Sequence, residues 1–239
     1  MDLQGQRVVV LGGTSGIGLA AAEAAARQGA LVTVGSSRQS SVDRALTRLP
    51  GGSDGRVVDL ADPRAVTTLF DEFGGFDHLV YTAGEPLTLM PLNTLDLDAA
   101  RNFFTLRYFG ALAAVRAAVP HLRKDGSITL TTGVAKDRPG PGWAVAASIC
   151  GAMEALTKAL AVELAPIRVN VVSPGIVRSP LWSEMGEADR ERMYADVGGA
   201  IPVGRVGEVE DVARAYVFLM TEPFATGTVL TVDGGSVLV

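Results

Sequence analysis

The sequence predicts an α/β fold, a single-domain, doubly wound parallel sheet of about seven strands with helices on both faces. Three observations predict it. A β-branched run, Val8-Val9-Val10, passes through Leu11 into the glycine-rich turn Gly12-Gly13-Thr14-Ser15-Gly16-Ile17-Gly18, and an alanine-rich stretch of high helix propensity, 19–26, follows. Short apolar runs then alternate with helical stretches to the end of the chain. The 239 residues, 48% of them hydrophobic, supply one extensive core, and no repeat, low-complexity tract or linker divides residues 1–239.

The elements follow in order. After the first helix, 30–34 reads as a second strand and ends in Gly35-Ser36-Ser37-Arg38. A helix is expected over 41–49, then a glycine loop, then a third strand over 56–60. Asp62 as N-cap and Pro63 in the first turn predict a helix over 63–73. Residues 76–81 form the fourth strand, and a loop rich in Pro, Leu and Thr leads into one long helix over 97–122. The fifth strand is expected at 127–132, an alanine-rich helix at 143–164, and the sixth strand at 167–172. A helix over 209–220 and a seventh strand over 228–232 complete the alternation. Residues 180–204 mix Trp, Met, Glu and Arg with glycines and lack a strand signal. They are expected to form a substrate lid with a short helix, whose Leu181, Trp182, Met185 and Met193 predict an apolar pocket.

Composition excludes several classes of function. Net charge is −5 with no basic block, which argues against nucleic acid as a partner. No uninterrupted apolar run reaches membrane-spanning length, and residues 1–7 lack the basic-then-apolar layout of a signal peptide, so no membrane association and a cytoplasmic location are expected. A single cysteine, Cys150, suits a reducing compartment. His78 and His121 stand far apart, so no metal site is expected.

The glycine turn carries the chemistry. Its glycines let backbone approach a pyrophosphate, and the N-terminus of the following helix offers free N–H groups and a partial positive charge. A lone glycine turn is weak evidence; strand, turn and helix in this order are the context that dinucleotide binding requires.

Several stretches together resemble the short-chain dehydrogenase/reductase family over nearly the whole chain. They are Gly12-x-x-x-Gly16-Ile17-Gly18 (preceded by Leu11 where the family usually has Thr), Asp59-Leu60, Thr82-Ala83-Gly84 where the family has Asn-Ala-Gly, and 168–177 with its Pro174-Gly175-Ile176. Arg205-Val206-Gly207 and Val232-Asp233-Gly234-Gly235 resemble the family's C-terminal signature. The resemblance implies a Rossmann-like fold in which Gly12, Thr14, Ser15, Gly16, Ile17 and Gly18 meet the pyrophosphate. It also implies that Asp59 and Leu60 meet adenine, and that Thr82, Ala83, Gly84, Pro174, Gly175 and Ile176 lie along the nicotinamide half. A carboxylate at the end of the second strand would favour NAD(H). Here stand Ser36, Ser37 and Arg38, and a guanidinium suits a ribose 2′-phosphate, so NADP(H) is favoured over NAD(H).

The family's catalytic positions are replaced. The resemblance places Arg107 at the Asn position, Gly133 at the Ser position, and Ala146 and Cys150 at the Tyr and Lys of the Tyr-x-x-x-Lys pair. Ala146 has no proton to give, and a positioned general acid is worth roughly 10²–10⁴ in rate. Cys150 is neutral at pH 7 with a reference pKa of about 8.5. Three readings are open. The protein is a reductase using a non-standard proton route, with Arg107 stabilising negative charge and Thr132 replacing the serine hydroxyl, acting on a small apolar carbonyl or enone, or on an imine-type substrate whose iminium carbon needs no acid. Alternatively it is an inactive nucleotide-binding homologue serving as partner or regulatory subunit. The third reading makes Cys150 a nucleophile on the same scaffold, against the ordinary fate of a lone Cys as buried packing.

Each singled-out residue has a plainer role to set beside these. Arg107 can pair with an acid across an oligomer interface, Thr131 and Thr132 can be ordinary strand residues, and Arg38 a surface charge. Lys136 and Arg138 are expected to be solvated, and Trp143 either packs at a helix entrance or walls a pocket. The helices at 97–122 and 143–164 are rich in Ala and Leu on more than one face, and the resemblance implies a homodimer or homotetramer built on them.

Overall fold

The computed structural model describes residues 2–239. Its strands and helices are β1 (Arg7–Leu11), α1 (Gly16–Arg27), β2 (Leu31–Ser36), α2 (Gln39–Leu46), β3 (Asp54–Val57), α3 (Pro63–Phe73), β4 (Phe76–Tyr81), α4 (Leu97–Phe104), α5 (Ala111–Ala118), β5 (Leu122–Thr131), α6 (Ala144–Glu163), β6 (Arg168–Pro174), β7 (Val177–Arg178), α7 (Glu187–Ala200), β8 (Gly207–Glu208), α8 (Val209–Thr221) and β9 (Val229–Val232). Seven strands form one parallel sheet in the order β3-β2-β1-β4-β5-β6-β9, and β7 pairs with β8 beside it. The chain runs outward from β1 to β3, then returns to lay β4 on the other side of β1. The carboxyl ends of β1 and β4 therefore flank the topological switch point, where open α/β sheets bind ligands.

Side-chain alternation along β1 fills two cores. Val9 and Leu11 point into the layer with α3, α5 and α6, while Val8 and Val10 point into the layer with α1 and α8. Strands buried on both faces explain the near-continuous apolar runs in the sequence. Asp62 caps α3 by accepting a bond from the Arg64 N–H. Among the described residues, α6 is the one helix long and apolar enough to cross a membrane, and its Ile149, Met153 and Leu160 are buried in the core.

Three expectations change. The third strand lies at 54–57, not 56–60, because its partner β2 ends at Ser36, whose carbonyl accepts the last bond, from Val58. The long helix over 97–122 is broken into α4, a π-helical turn at Thr105–Gly110, α5 and a 3-10 turn at Val119–His121. The Tyr81 hydroxyl donates to the Leu106 carbonyl at 2.7 Å, and Pro120 lacks the N–H that would continue the helix. Finally, 180–204 holds not a short helix but the 14-residue α7, preceded by a 3-10 turn at Pro180–Trp182.

Candidate active site

A continuous cavity of about 990 Å³ opens along the carboxyl ends of the strands, at the switch point. Its floor is the turn after β1. Gly12 and Gly16 adopt φ of +83° and +53°, left-handed values that glycine tolerates. A Cβ on Gly12 would stand 2.6 Å from the Ala83 nitrogen, and one on Gly18 would stand 2.3 Å from both the Gly12 carbonyl and Thr82 Oγ1. These two glycines are what allow α1 and the loop after β4 to close on the turn. Thr14, Ser15 and Ile17 line the cavity beside them, and no acidic side chain occupies the first turn of α1, so its amide dipole faces the cavity uncompensated.

At the β2 end, Ser36, Ser37 and Arg38 line the cavity on one side, and Asp59, Leu60 and Ala61 on the other. Arg38 stands at the N-cap of α2 and makes no capping bond with its side chain. Ser41 and Arg44, one and two turns into the same helix, line the cavity as well, and the Arg44 guanidinium lies 3.4 Å from Ser41 Oγ. Neither of these was singled out from sequence. Arg44 is one of many surface arginines until α2 is seen to turn it toward the cavity.

At the opposite end, Thr82, Ala83 and Gly84 follow β4, and Pro174, Gly175 and Ile176 follow β6, all on the cavity. Gly175 backs onto Asp233, where a Cβ would come within 2.8 Å of the Asp233 Cα. Asp233 in turn accepts bonds from the Gly235 and Val237 N–H groups and the Ser236 hydroxyl, so the C-terminal signature buttresses this loop. The whole set fits a dinucleotide: an anion-binding turn in the middle, cations and hydroxyls at one end, backbone loops at the other.

The four residues that the resemblance sets at the family's catalytic positions, Arg107, Gly133, Ala146 and Cys150, all line this cavity. A Cβ on Gly133 would lie 3.5 Å from Cys150 Sγ, so the two positions are adjacent. Burial pushes the Cys150 thiol up, which removes the thiolate a nucleophile needs. The Thr132 hydroxyl donates to the Cys150 carbonyl at 2.9 Å, leaving it an acceptor for any ligand. Thr131 donates to the Tyr81 carbonyl and receives the buried Tyr216 hydroxyl, a packing role.

Arg107 has its acid within the same chain. Its Nη2 donates to the Glu85 carbonyl, its Nε lies 3.6 Å from Glu85 Oε2, and its guanidinium stacks over the Phe103 ring at 4.4 Å. Gly84 makes room for it, since a Cβ there would meet Nη1 at 2.6 Å. Lys136 is not solvated as expected: it pairs with Glu154 at 3.1 Å and Asp137 at 2.5 Å. Arg138 is exposed. Trp143 lines the cavity together with Leu87, Leu181 and Trp182. Met185 and Met193 do not line it; Met193 packs outside, in a small cluster of Trp182, Tyr194 and Val206, because α7 lies on the outer side of that cluster.

The model of the SDR-like Rossmann domain family matches residues 2–239. The short-chain dehydrogenase/reductase fsr5 of Gibberella fujikuroi is 36% identical over 256 residues, covering 99% of this chain and 96% of its own. Among solved structures, a small-chain dehydrogenase in complex with NADPH superposes with a TM-score of 0.87 at 36% identity, over 99% of this chain and 100% of that one. The MalC reductase/Diels-Alderase of Malbranchea aurantiaca superposes with a TM-score of 0.92 at 29% identity, over 99% and 98%.

Proposed function

The chain belongs to the short-chain dehydrogenase/reductase family of oxidoreductases, and we propose that it transfers hydride between NADP(H) and a small, apolar carbonyl, enone or imine-type acceptor by a route that does not use the family's tyrosine. One observation carries the reading. The groove that suits a dinucleotide and the chamber lined by Leu87, Trp143, Leu181 and Trp182 are parts of one cavity, so a ligand in the chamber lies next to the Pro174-Gly175-Ile176 end of the groove. A relative of the same size is an NADPH complex, which supports the choice of nucleotide.

The nucleotide, when bound, supplies the hydride. The chain's own residues position and enclose. The α1 N-terminus and the turn at 12–18 hold the pyrophosphate, Arg38 meets the 2′-phosphate, and the loops at 82–84 and 174–176 fix the reacting ring. Apolar walls exclude water from the acceptor. Arg107, a buried cation beside that chamber, stabilises negative charge developing on an acceptor oxygen. Exposed apolar residues on α5 and the turn before it, Leu112 and Phe109, support assembly as a homodimer or homotetramer through these helices.

Ala146 and Gly133, which offer no proton and no hydroxyl, favour a second reading as an inactive nucleotide-binding partner subunit. Titration with NADPH and NADH by nicotinamide fluorescence, then turnover against a panel of carbonyls, enones and imines, separates the two. Hydride transfer to any member of the panel supports the reductase. Tight NADPH binding with no transfer supports the partner subunit, and no nucleotide binding defeats both.

A further inference from the structure

The geometry points to Glu85 as the proton-transferring residue of this site, taking the place of the absent tyrosine, with Arg107 as the residue that positions it; the inference rests on the reductase reading above. The titratable side chains on the cavity are few. Arg38, Arg44 and Asp59 lie at the β2 end, away from the chamber. At the chamber end stand Tyr81, Arg107, Cys150 and Glu85. The Tyr81 hydroxyl is spent on the Leu106 carbonyl, and burial together with the nearby Glu85 charge raises its pKa further from neutrality. Burial lowers the Arg107 pKa from its ordinary value, yet a guanidinium stays charged in proteins and gives up no proton at neutral pH. Cys150 is pushed the wrong way by burial and has its sulfur against Gly133. Glu85 is left as the one carboxyl group lining this end of the cavity.

Its setting suits the task. Glu85 directly follows Gly84, so it stands at the reacting end of the groove rather than deep in the chamber. Arg107 binds its backbone carbonyl and covers Oε2, which is buried without a hydrogen-bond partner. The side chain as a whole keeps 42% of its surface open, giving the carboxyl group both a face toward the cavity and a path to solvent for reprotonation. The segment is held at its other end by the Leu87 N–H, which donates to the Leu181 carbonyl at 2.8 Å. The backbone on either side of the carboxyl group is thus held in place, and a side chain carried on a fixed backbone and open on one side suits proton transfer.

The step balances. Hydride adds to the acceptor carbon and forms a C–H bond, the carbon–heteroatom π bond breaks, and the electron pair goes to the heteroatom. The Glu85 carboxylate, charged at rest, first takes a proton from solvent; its O–H bond then breaks as the heteroatom takes that proton, and the carboxylate is restored. The acceptor gains two electrons and the nicotinamide loses two. In the oxidative direction the same carboxylate accepts the hydroxyl proton.

The test uses the full chain and the best acceptor of the panel. Glu85→Gln should lower kcat by 10²- to 10⁴-fold, keep NADPH affinity within threefold by nicotinamide fluorescence, and flatten the pH dependence of kcat. Glu85→Ala should regain activity in proportion to added formate, a small acid that fits the vacated space. Turnover by Glu85→Gln within threefold of the parent overturns the assignment and leaves the reductase reading standing. Loss of turnover without formate rescue of Glu85→Ala, or with a matching loss of NADPH affinity, also overturns it and makes Glu85 a structural anchor for Arg107. A parent protein that binds NADPH and reduces nothing defeats the reductase reading, and this assignment with it.

Discussion

Tyr81 Oη donates to the Leu106 carbonyl at 2.7 Å, one residue before Arg107. The carbonyl engaged by Tyr81 lies inside the π-helical turn at Thr105–Gly110, where the ladder takes in an extra residue. Tyr81→Phe removes a donor whose side chain is only 2% exposed, and with it the hydroxyl bond to the Leu106 carbonyl. Loss of a buried partner costs about 1–3 kcal/mol. Urea denaturation of Tyr81→Phe should show a loss in that range, and an unchanged midpoint would mean that the π turn does not depend on the phenol.

Gly18 offers a second test, at the phosphate turn. An alanine Cβ there would sit 2.3 Å from the Gly12 carbonyl and from Thr82 Oγ1, so the turn and the loop after β4 must separate. Overpacking of this kind costs about 1–3 kcal/mol. Because the strain falls on the nucleotide groove, Gly18→Ala should weaken NADPH binding at least tenfold, measured by fluorescence titration. Binding within threefold of the parent would show that the groove is not where the nucleotide sits.

The contrast between these two positions explains what was legible in the sequence. Gly12, Gly16 and Gly18 are local signals: strand, turn and helix are contiguous, and each residue's neighbours announce its role. The helix break at 105–110 is met by the hydroxyl of Tyr81, 25 residues before Leu106, and no local propensity in 97–122 reports that contact. The same distance hides the partner of Arg107, Glu85, 22 residues back in the same chain. Met185 and Met193 read as pocket residues by composition alone. No residue of α7 lines the cavity; Tyr194 and Met193 pack in the cluster with Trp182 and Val206 instead, a tertiary fact.

His78 makes stability depend on pH. Its ring sits between Ser127 Oγ at 2.8 Å and Gln6 Oε1 at 2.6 Å, so Nε2–H donates to Gln6 and Nδ1 accepts from Ser127 in the neutral form. Burial lowers its pKa from 6.5 to about 4. The folded state therefore binds the proton less tightly than the unfolded one. The resulting stability is fully present above pH 6.5 and is lost as pH falls from 6.5 toward 4. The size is about 3 kcal/mol across that window, from the shift and about 1.4 kcal/mol per pKa unit. Urea unfolding at pH 7.5 and 4.5 should show this loss in the parent and a smaller one in His78→Gln. Equal losses in both proteins would assign the acid sensitivity to other groups.

Two arginines rather than one stand where the proposed reading puts the 2′-phosphate. Arg38 at the N-cap of α2 and Arg44 farther along it both line the β2 end of the cavity, and the facing carboxylate, Asp59, belongs to the opposite wall. A helical side chain leans back toward the N-terminus of its helix, which brings the Arg44 guanidinium over Ser41 and toward Arg38. A 2′-phosphate placed there would gain charge-assisted bonds worth about 1.5–3 kcal/mol each, bonds that NADH has no phosphate to make. Arg38→Ala and Arg44→Ala should each weaken NADPH binding by about tenfold or more while leaving NADH binding within threefold, and added salt should narrow the gap between the two nucleotides in the parent. Equal losses for NADPH and NADH would mean that the arginines support the fold of α2 and do not read the phosphate. A parent that binds NADH as tightly as NADPH would remove the preference itself.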